Sequence, residues 1–95
     1  MAANEVPPEL VTLVEKMQTE YRDSEYDIAV ALAEAHGPLT VEELADETGY
    51  TERTIKKRVG TLEEALRGDP LIDVDDDGGA ELHPRLAEAL REASA

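Results

Sequence analysis

Residues 39–66 read LTVEELADETGYTERTIKKRVGTLEEAL, and this stretch decides the fold. Thr40 and Glu43 have the spacing of a capping box, in which each side chain meets the other residue's backbone N–H, and they predict the start of a short helix. Gly49 permits the positive φ of a sharp turn. A second helix, capped by Thr51, follows at once, because apolar residues then recur every three or four positions. These residues are Ile55, Val59, Leu62 and Leu66.

The flanking sequence extends this pair of helices into a single domain over residues 1–95. Ser24, with Asp27 three residues later, has the pattern of a helix start. Gly68 and Pro70 form a helix stop. The predicted elements are a loose tail at 1–7, a flanking helix at 8–21, a first core helix at 24–36, the helix pair at 40–67, a β-hairpin at 71–83 and a C-terminal helix at 84–94.

Acidic residues dominate the composition. The chain has 23 acidic and nine basic residues, a net charge of −14, and 41% of it is hydrophobic. That apolar content and the helical periodicity argue against disorder. Many carboxylates, only three lysines and small apolar side chains make the composition similar to that of haloarchaeal proteins. No apolar run is long enough to span a membrane and no leader opens the chain, so we expect a cytoplasmic protein.

The few basic residues are concentrated in one stretch. Between Thr51 and Arg67 lie five of the nine, against three acidic residues, so this stretch carries +2 and the rest of the chain −16. Two of the three lysines, Lys56 and Lys57, are adjacent here. The alternative explanation is a helix face that is merely solvated. Because lysine is rare elsewhere in the chain, its concentration here favours a functional explanation.

The helix pair, with its Leu39–Ala45 start, its Gly49–Thr51 turn and its Arg53–Val59 helix, resembles the helix-turn-helix of winged-helix transcription regulators such as the MarR-like and ArsR-like repressors. The hairpin at 71–83 matches the wing of that family. The resemblance implies an α+β, mostly helical fold, a winged helix-turn-helix with N-terminal and C-terminal flanking helices. It also implies a transcription regulator that binds double-stranded DNA in a sequence-specific manner.

In that family the second helix of the pair, here 52–66, enters the major groove with its N-terminal half at the bases. The helical period agrees, since Arg53 and Lys57 point about 160° and 200° away from the first residue of the apolar stripe. Arg53 is the first candidate for reading guanine, because its planar guanidinium group suits the acceptors of that base. Lys56 and Lys57 are candidates for phosphates or guanine acceptors, and Arg58 for a structural role or a phosphate. The expected DNA-binding residues are Thr51, Arg53, Thr54, Lys56, Lys57 and Arg58.

Gly60 lies on the same outer face of the predicted helix. Glycine inside a helix costs about 1 kcal/mol relative to alanine, so its presence there has a reason. A bare surface lets the helix come close to a phosphate or a base. Alternatively, the glycine makes room for another part of the protein, and the sequence leaves both explanations open.

The predicted wing departs from the family pattern. It carries Asp73, Asp75, Asp76, Asp77 and Glu81, with no basic residue between Leu71 and Pro84. Phosphates repel such a wing unless cations lie between the two surfaces, and potassium is the candidate. The alternative function is a winged helix that binds protein, an adaptor without direct DNA contact. A third hypothesis, an acidic mimic of DNA, is opposed by the basic helix.

Other chemistry receives little support from the sequence. Zero cysteines exclude disulfides, thiolate zinc sites and cysteine nucleophiles. The run from Asp73 to Gly78 resembles the opening of a calcium loop, but Pro84 occupies the place of the glutamate that such a loop needs. His36 and His83 lack ligand spacing, and His36 is expected to end a helix. We therefore expect no enzyme activity, cofactor or metal.

The two terminal helices carry apolar stripes that exceed what a three-helix core must cover. They predict a homodimer on a palindromic DNA site, with half-sites one helical turn apart. The alternative is that the stripes pack only on their own core. The residues are Leu10, Leu13, Val14, Met17 and Tyr21 in the first helix, and Leu86, Leu90 and Ala93 in the last.

Overall fold

Five helices and a two-stranded antiparallel sheet make up the computed structural model, which describes residues 7–66 and 71–94. The elements are α1 (Pro8–Glu20), α2 (Asp23–Ala35), α3 (Val41–Thr48), α4 (Glu52–Ala65), β1 (Ile72–Val74), β2 (Ala80–Leu82) and α5 (Pro84–Ser94). The fold is α+β and mostly helical, a winged helix-turn-helix with a flanking helix at each end, and this confirms the predicted fold class. The predicted helix stop at Gly68 and Pro70, residue Arg67 and most of the predicted tail lie outside the described residues.

α2 is the central element of the fold. It contacts α1, α3, α4, α5 and β2. Ala29 and Ala33 are buried on it, and their small side chains let the neighbouring helices approach closely. The core around α2 is aliphatic with one methionine, and its largest fully buried side chains are Met17, Ile28, Leu32, Leu44, Ile55, Val59, Leu62, Leu86 and Leu90.

The predicted start of α2 is wrong by one to two residues. The N-cap is Arg22, and Ser24 lies inside the first turn. Glu25 accepts a hydrogen bond from the backbone N–H of Arg22 at 2.9 Å, so a carboxylate in the first turn closes the helix start. Asp27, expected in the cap, instead accepts a hydrogen bond from Tyr50.

The helix-turn-helix follows the predicted pattern closely. The Thr40 amide donates to Glu43 at 2.9 Å, and the Glu43 amide donates to the Thr40 hydroxyl at 3.1 Å, so the capping box is confirmed. Gly49 ends α3 with φ +83°, which a side chain would strain. The Thr51 hydroxyl accepts from the Thr54 amide at 3.2 Å and caps α4. The predicted stripe of α4 is at most 3% exposed at Ile55, Val59, Leu62 and Leu66.

The hairpin pairs β1 with β2 so that Ile72 lies opposite Leu82, Asp73 opposite Glu81 and Val74 opposite Ala80. Leu39 forms a bridge to Ala80 on the other side of β2, with an N–H···O hydrogen bond of 3.0 Å in each direction. The wing is therefore attached to the segment that leads into α3.

The stripes of the terminal helices are used mainly by the protein's own core. Val14, Met17, Leu86 and Leu90 are buried there, and Leu10, Leu13 and Tyr21 pack against it. Ala93, expected in the stripe of α5, is exposed because the helix has passed the end of the core, whereas Ala87 and Ala89 are buried. Val11 is 44% exposed and lies beside Ala93 at a groove between α1 and α5. Pro7, expected in the tail, is the N-cap of α1.

Candidate nucleic-acid interface

Three exposed cations lie on α4, with Arg53 and Lys57 on its outer face and Lys56 beside them. Arg53, Lys56 and Lys57 are exposed, while the apolar stripe on the opposite side of the same helix is buried. The two sides differ because the apolar residues recur with the helical period and leave the basic residues facing outward. From the rise of 1.5 Å per residue, Arg53 and Lys57 lie about 6 Å apart along the helix axis. This spacing suits two neighbouring acceptors on one anionic partner.

Arg58 differs from the other cations. It is half-buried, and its Nε atom is buried without a hydrogen-bond partner among the described residues. A guanidinium in this position has less freedom to reach into a groove than Arg53 does. This half-buried position is compatible with either of the two roles expected for Arg58, a structural one or a contact with phosphate.

Thr51 and Thr54 are engaged with each other at the start of α4. The Thr51 hydroxyl donates to the Thr54 hydroxyl at 3.1 Å while it accepts from the Thr54 amide. Thr51 is exposed and Thr54 is half-buried. The Thr54 hydroxyl keeps its own proton for a further acceptor, because it acts as acceptor in this pair. Of the two, Thr54 is thus the better equipped to donate to a ligand.

A tyrosine fixes the turn of the helix-turn-helix to α2. The Tyr50 hydroxyl donates a hydrogen bond of 2.6 Å to the carboxylate of Asp27. This hydrogen bond, followed by partial burial and the nearby carboxylates, raises the pKa of Tyr50 above its ordinary value. The contact holds the point where α3 passes into α4. Sequence reasoning missed it because the two residues lie 23 positions apart.

A second anchor holds α4 further along its length. The Thr61 hydroxyl donates to Glu25, whose side chain is only 6% exposed. The other oxygen of that carboxylate accepts from the Arg22 amide. A charge buried to this degree needs hydrogen-bond partners, and these two donors supply them. Thr61 therefore sets the position of α4 against α2.

The acidic wing lies beside the cations of α4. Gly78, in the wing turn, has φ +95°, and a Cβ built on it would lie 3.2 Å from Cγ of Lys56 and 3.0 Å from Cγ2 of Val41. The aliphatic stem of Lys56 thus packs on the wing turn. Three exposed carboxylates belong to the same turn region: Asp75, Asp76 and Asp77. Lys56 is therefore the cation of α4 most closely tied to the wing.

Gly60 has open space around it. A Cβ built on this residue would meet no atom within 4 Å among the described residues. The residue is exposed in the interior of α4 and has an ordinary helical φ. Within this part of the chain, the hypothesis that Gly60 makes room for another segment of the protein is wrong.

The two histidines are located at helix ends. His36 is the C-cap of α2, as expected, with the left-handed φ of 59°. The Nδ1 atom of His83 accepts a hydrogen bond of 3.1 Å from the Arg85 amide at the start of α5. Among residues 7–66 and 71–94, no three His, Asp or Glu side chains are grouped so that they could hold a metal ion.

A family model described as an HTH domain matches residues 25–79, which is more than half of the chain. The match includes both anchors, the whole of α3 and α4, and the wing turn with Gly78. The chain belongs to this HTH domain family. No curated protein and no solved structure matches the chain significantly.

Membership of the HTH family supports DNA binding by this chain and a role in transcription regulation. The match covers every residue expected at the DNA, from Thr51 to Arg58. In the part of this HTH domain that the structure describes, no helix has the length and apolar character needed to cross a membrane.

Proposed function

We propose that this HTH domain binds double-stranded DNA in a sequence-specific manner, with α4 in the major groove, and regulates transcription in a salt-rich cytoplasm. The observation that carries the proposal is the exposed basic face of α4, formed by Arg53 and Lys57 opposite its buried stripe, with Lys56 exposed beside them. A helix with one face fixed to a core and the other face cationic suits a groove lined by phosphates. The mechanism is occupancy of a DNA site, without chemistry.

Arg53 is the residue that reads a base. It lies in the first turn of α4, and its side chain is exposed. A guanidinium binds O6 and N7 of guanine with two parallel hydrogen bonds, and such a pair discriminates against the wrong base by about 1–3 kcal/mol. Lys57 and Lys56 meet phosphates or further guanine acceptors. Thr54 and Thr51 support the helix start, and Arg58 contacts the DNA backbone from the edge of the core.

The acidic wing changes the expected dependence on salt. Asp75, Asp76 and Asp77 are exposed at the wing turn, beside the stem of Lys56. We propose that potassium ions lie between these carboxylates and the DNA phosphates in the complex. Ordinary complexes release cations when they form, so their affinity falls steeply with salt. Uptake of potassium at the wing opposes that release, and the affinity then depends weakly on KCl or rises with it.

We further propose that the domain acts as a homodimer in the manner of MarR-like or ArsR-like repressors. Val11 and Ala93 remain exposed at the groove between α1 and α5, which is lined also by Val14 and Ala89 and has a volume of about 320 Å³. A second copy of the chain is the proposed occupant. Sedimentation at about 2 M KCl tests it, with Val11→Glu expected to give a monomer and a monomeric wild type contradicting the dimer.

The function is tested by selecting duplexes from random DNA at about 2 M KCl, where such an acidic chain is well screened. Arg53→Ala/Lys57→Ala removes two charges from the outer face of α4, and Lys16→Ala/Arg85→Ala removes two exposed charges elsewhere as a matched control. We expect a motif that is lost in the first variant and kept in the second. A folded wild type that enriches no sequence contradicts the proposal and favours the protein-binding adaptor.

A further inference from the structure

Gly60 is a destabilising residue that the described part of the fold does not require. It is the ninth residue of α4, a helix of 14 residues, and its φ is ordinary. A side chain placed there would point into open space. Glycine in the interior of a helix costs about 1 kcal/mol relative to alanine. The reason for Gly60 is therefore to be sought in what lies outside α4 when the domain works.

The position of Gly60 marks a change of charge along the helix. Arg53 and Lys57 precede it on the outer face, and Glu63 and Glu64 follow it, all four being exposed. With 100° and 1.5 Å per residue, Gly60 lies within about 20° of Arg53 around the axis and about 10 Å further along it. The bare site thus lies between a basic half, which attracts phosphate, and an acidic end, which repels it.

We propose that Gly60 is the point where one sugar–phosphate strand of the bound duplex passes against α4. This inference rests on the proposed function. An α-helix with its side chains is about as wide as the major groove, so a helix that leaves the groove meets the groove wall. Without a side chain at Gly60, the strand comes closer to the helix backbone. Gly60 then sets the depth at which Arg53 and Lys57 reach the base edges.

The proposed role is steric, and this distinguishes Gly60 from a residue that binds phosphate by charge. Removing a cation such as Lys57 reduces the slope of log affinity against log salt by about one. Adding an apolar side chain at Gly60 leaves the charge of the interface unchanged. It therefore lowers the affinity at every salt concentration and leaves the slope as in the wild type.

The test measures the affinity of Gly60→Ala and Gly60→Leu for the duplex selected by the wild type, over a range of KCl concentrations. Ala65→Leu is the matched control, since Ala65 is exposed on the same helix and lies to the side of the outer face. We expect Gly60→Ala to weaken binding at least about threefold and Gly60→Leu at least about tenfold, while the control stays within about twofold. Both variants keep or raise the unfolding temperature, because they improve helix propensity.

The outcomes separate this inference from the proposed function. If Gly60→Leu binds the duplex as tightly as the wild type does, the inference is overturned, while DNA binding by the domain is unaffected. An equal loss of affinity in Gly60→Leu and Ala65→Leu also overturns it, because the effect is then not specific to the position of Gly60 on α4. A folded wild type that binds no duplex overturns both. Loss of affinity at Gly60 with an unchanged salt slope supports the inference.

Discussion

The hydroxyl of Thr61 on α4 donates a hydrogen bond to the carboxylate of Glu25 on α2, 36 residues earlier in the chain. The same carboxylate accepts from the Arg22 amide and closes the start of α2. One side chain therefore completes a helix end and holds the proposed recognition helix to the centre of the fold. Glu25 is the only charged residue that is buried among the described residues, so its partners matter more than those of an exposed carboxylate.

Replacing Thr61 by valine keeps the shape of the side chain and removes the donor. We expect Thr61→Val to lower the free energy of unfolding by about 1–3 kcal/mol, because the buried carboxylate loses one of its partners. Chemical denaturation at about 2 M KCl measures the change. Thr12→Val, at an exposed position of α1, is the control for the loss of a surface hydroxyl. Equal effects of the two substitutions would show that the Glu25 contact contributes nothing.

The hydrogen bond from Tyr50 to Asp27 predicts a dependence of stability on alkaline pH. The pKa of Tyr50 is raised in the folded state, first by this hydrogen bond, so the unfolded chain loses the phenolic proton at a lower pH. The stabilisation is complete below the ordinary tyrosine pKa of about 10 and is lost as the pH rises through the folded value. Tyr50→Phe is expected to lose less stability than the wild type as the pH rises past the ordinary tyrosine pKa of about 10.

Denaturation curves at several pH values test this prediction. Tyr21 remains in both proteins, and its pKa is also raised, mainly by burial. The variant therefore still loses some stability at alkaline pH. The difference between the two proteins isolates Tyr50. Identical pH profiles for wild type and Tyr50→Phe contradict the role of the Asp27 contact.

Gly79 is required by a close approach of two backbone segments. A Cβ on this residue would lie 2.7 Å from the carbonyl oxygen of Leu39 and 3.2 Å from Cα of Thr40. Backbone atoms cannot move aside cheaply, so we expect Gly79→Ala to destabilise the domain by about 1–3 kcal/mol. Thermal unfolding measures it, with Gly60→Ala as the contrasting glycine substitution. A Gly79→Ala variant as stable as the wild type would disprove this contact.

The wing carries two carboxylates directly opposite each other. Asp73 pairs with Glu81 across the strands, and both side chains are exposed. Like charges in such a pair destabilise a sheet, and salt screens them. Glu81→Gln is therefore expected to raise the unfolding temperature at about 0.1 M KCl and to have a much smaller effect at about 2 M KCl. Glu47→Gln, at an exposed position of α3, is the control, and a salt-independent gain at Glu81 contradicts the explanation.

The sequence predicted those parts of the fold that depend on short-range patterns. The capping box at Thr40 and Glu43, the turn at Gly49 and the stripe through Ile55 and Val59 each lie within a few residues of one another, so local chemistry determines them. The outward position of Arg53 and Lys57 follows from the same helical period. Their role at DNA stays a prediction, because no ligand contact tests it.

The features that sequence reasoning missed depend on residues far apart in the chain. Glu25 has the local pattern of any acidic residue in a first turn, and only Thr61, brought beside it by the packing of α2 on α4, makes it an anchor. Ser24 is the expected cap from its residue type and from Asp27 three residues later. Arg22, the observed N-cap, has the same spacing to Glu25. The tertiary partners differ, because Glu25 accepts from Thr61 whereas Asp27 accepts from Tyr50. A local sequence pattern does not contain the tertiary partners, so it cannot decide which of two nearby residues is the N-cap.

The bridge between Leu39 and Ala80 joins the segment in front of α3 to the strand that follows the wing turn. Its paired hydrogen bonds close a loop of the chain that contains α3, α4 and β1. The wing therefore cannot separate from the domain without breaking its hydrogen bonds to the segment in front of α3. Opening of the wing and loosening of the helix-turn-helix become one cooperative event, and the amides of Leu39 and Ala80 should exchange with solvent at a common rate. The part of the protein proposed to bind DNA is thus expected to unfold as a unit.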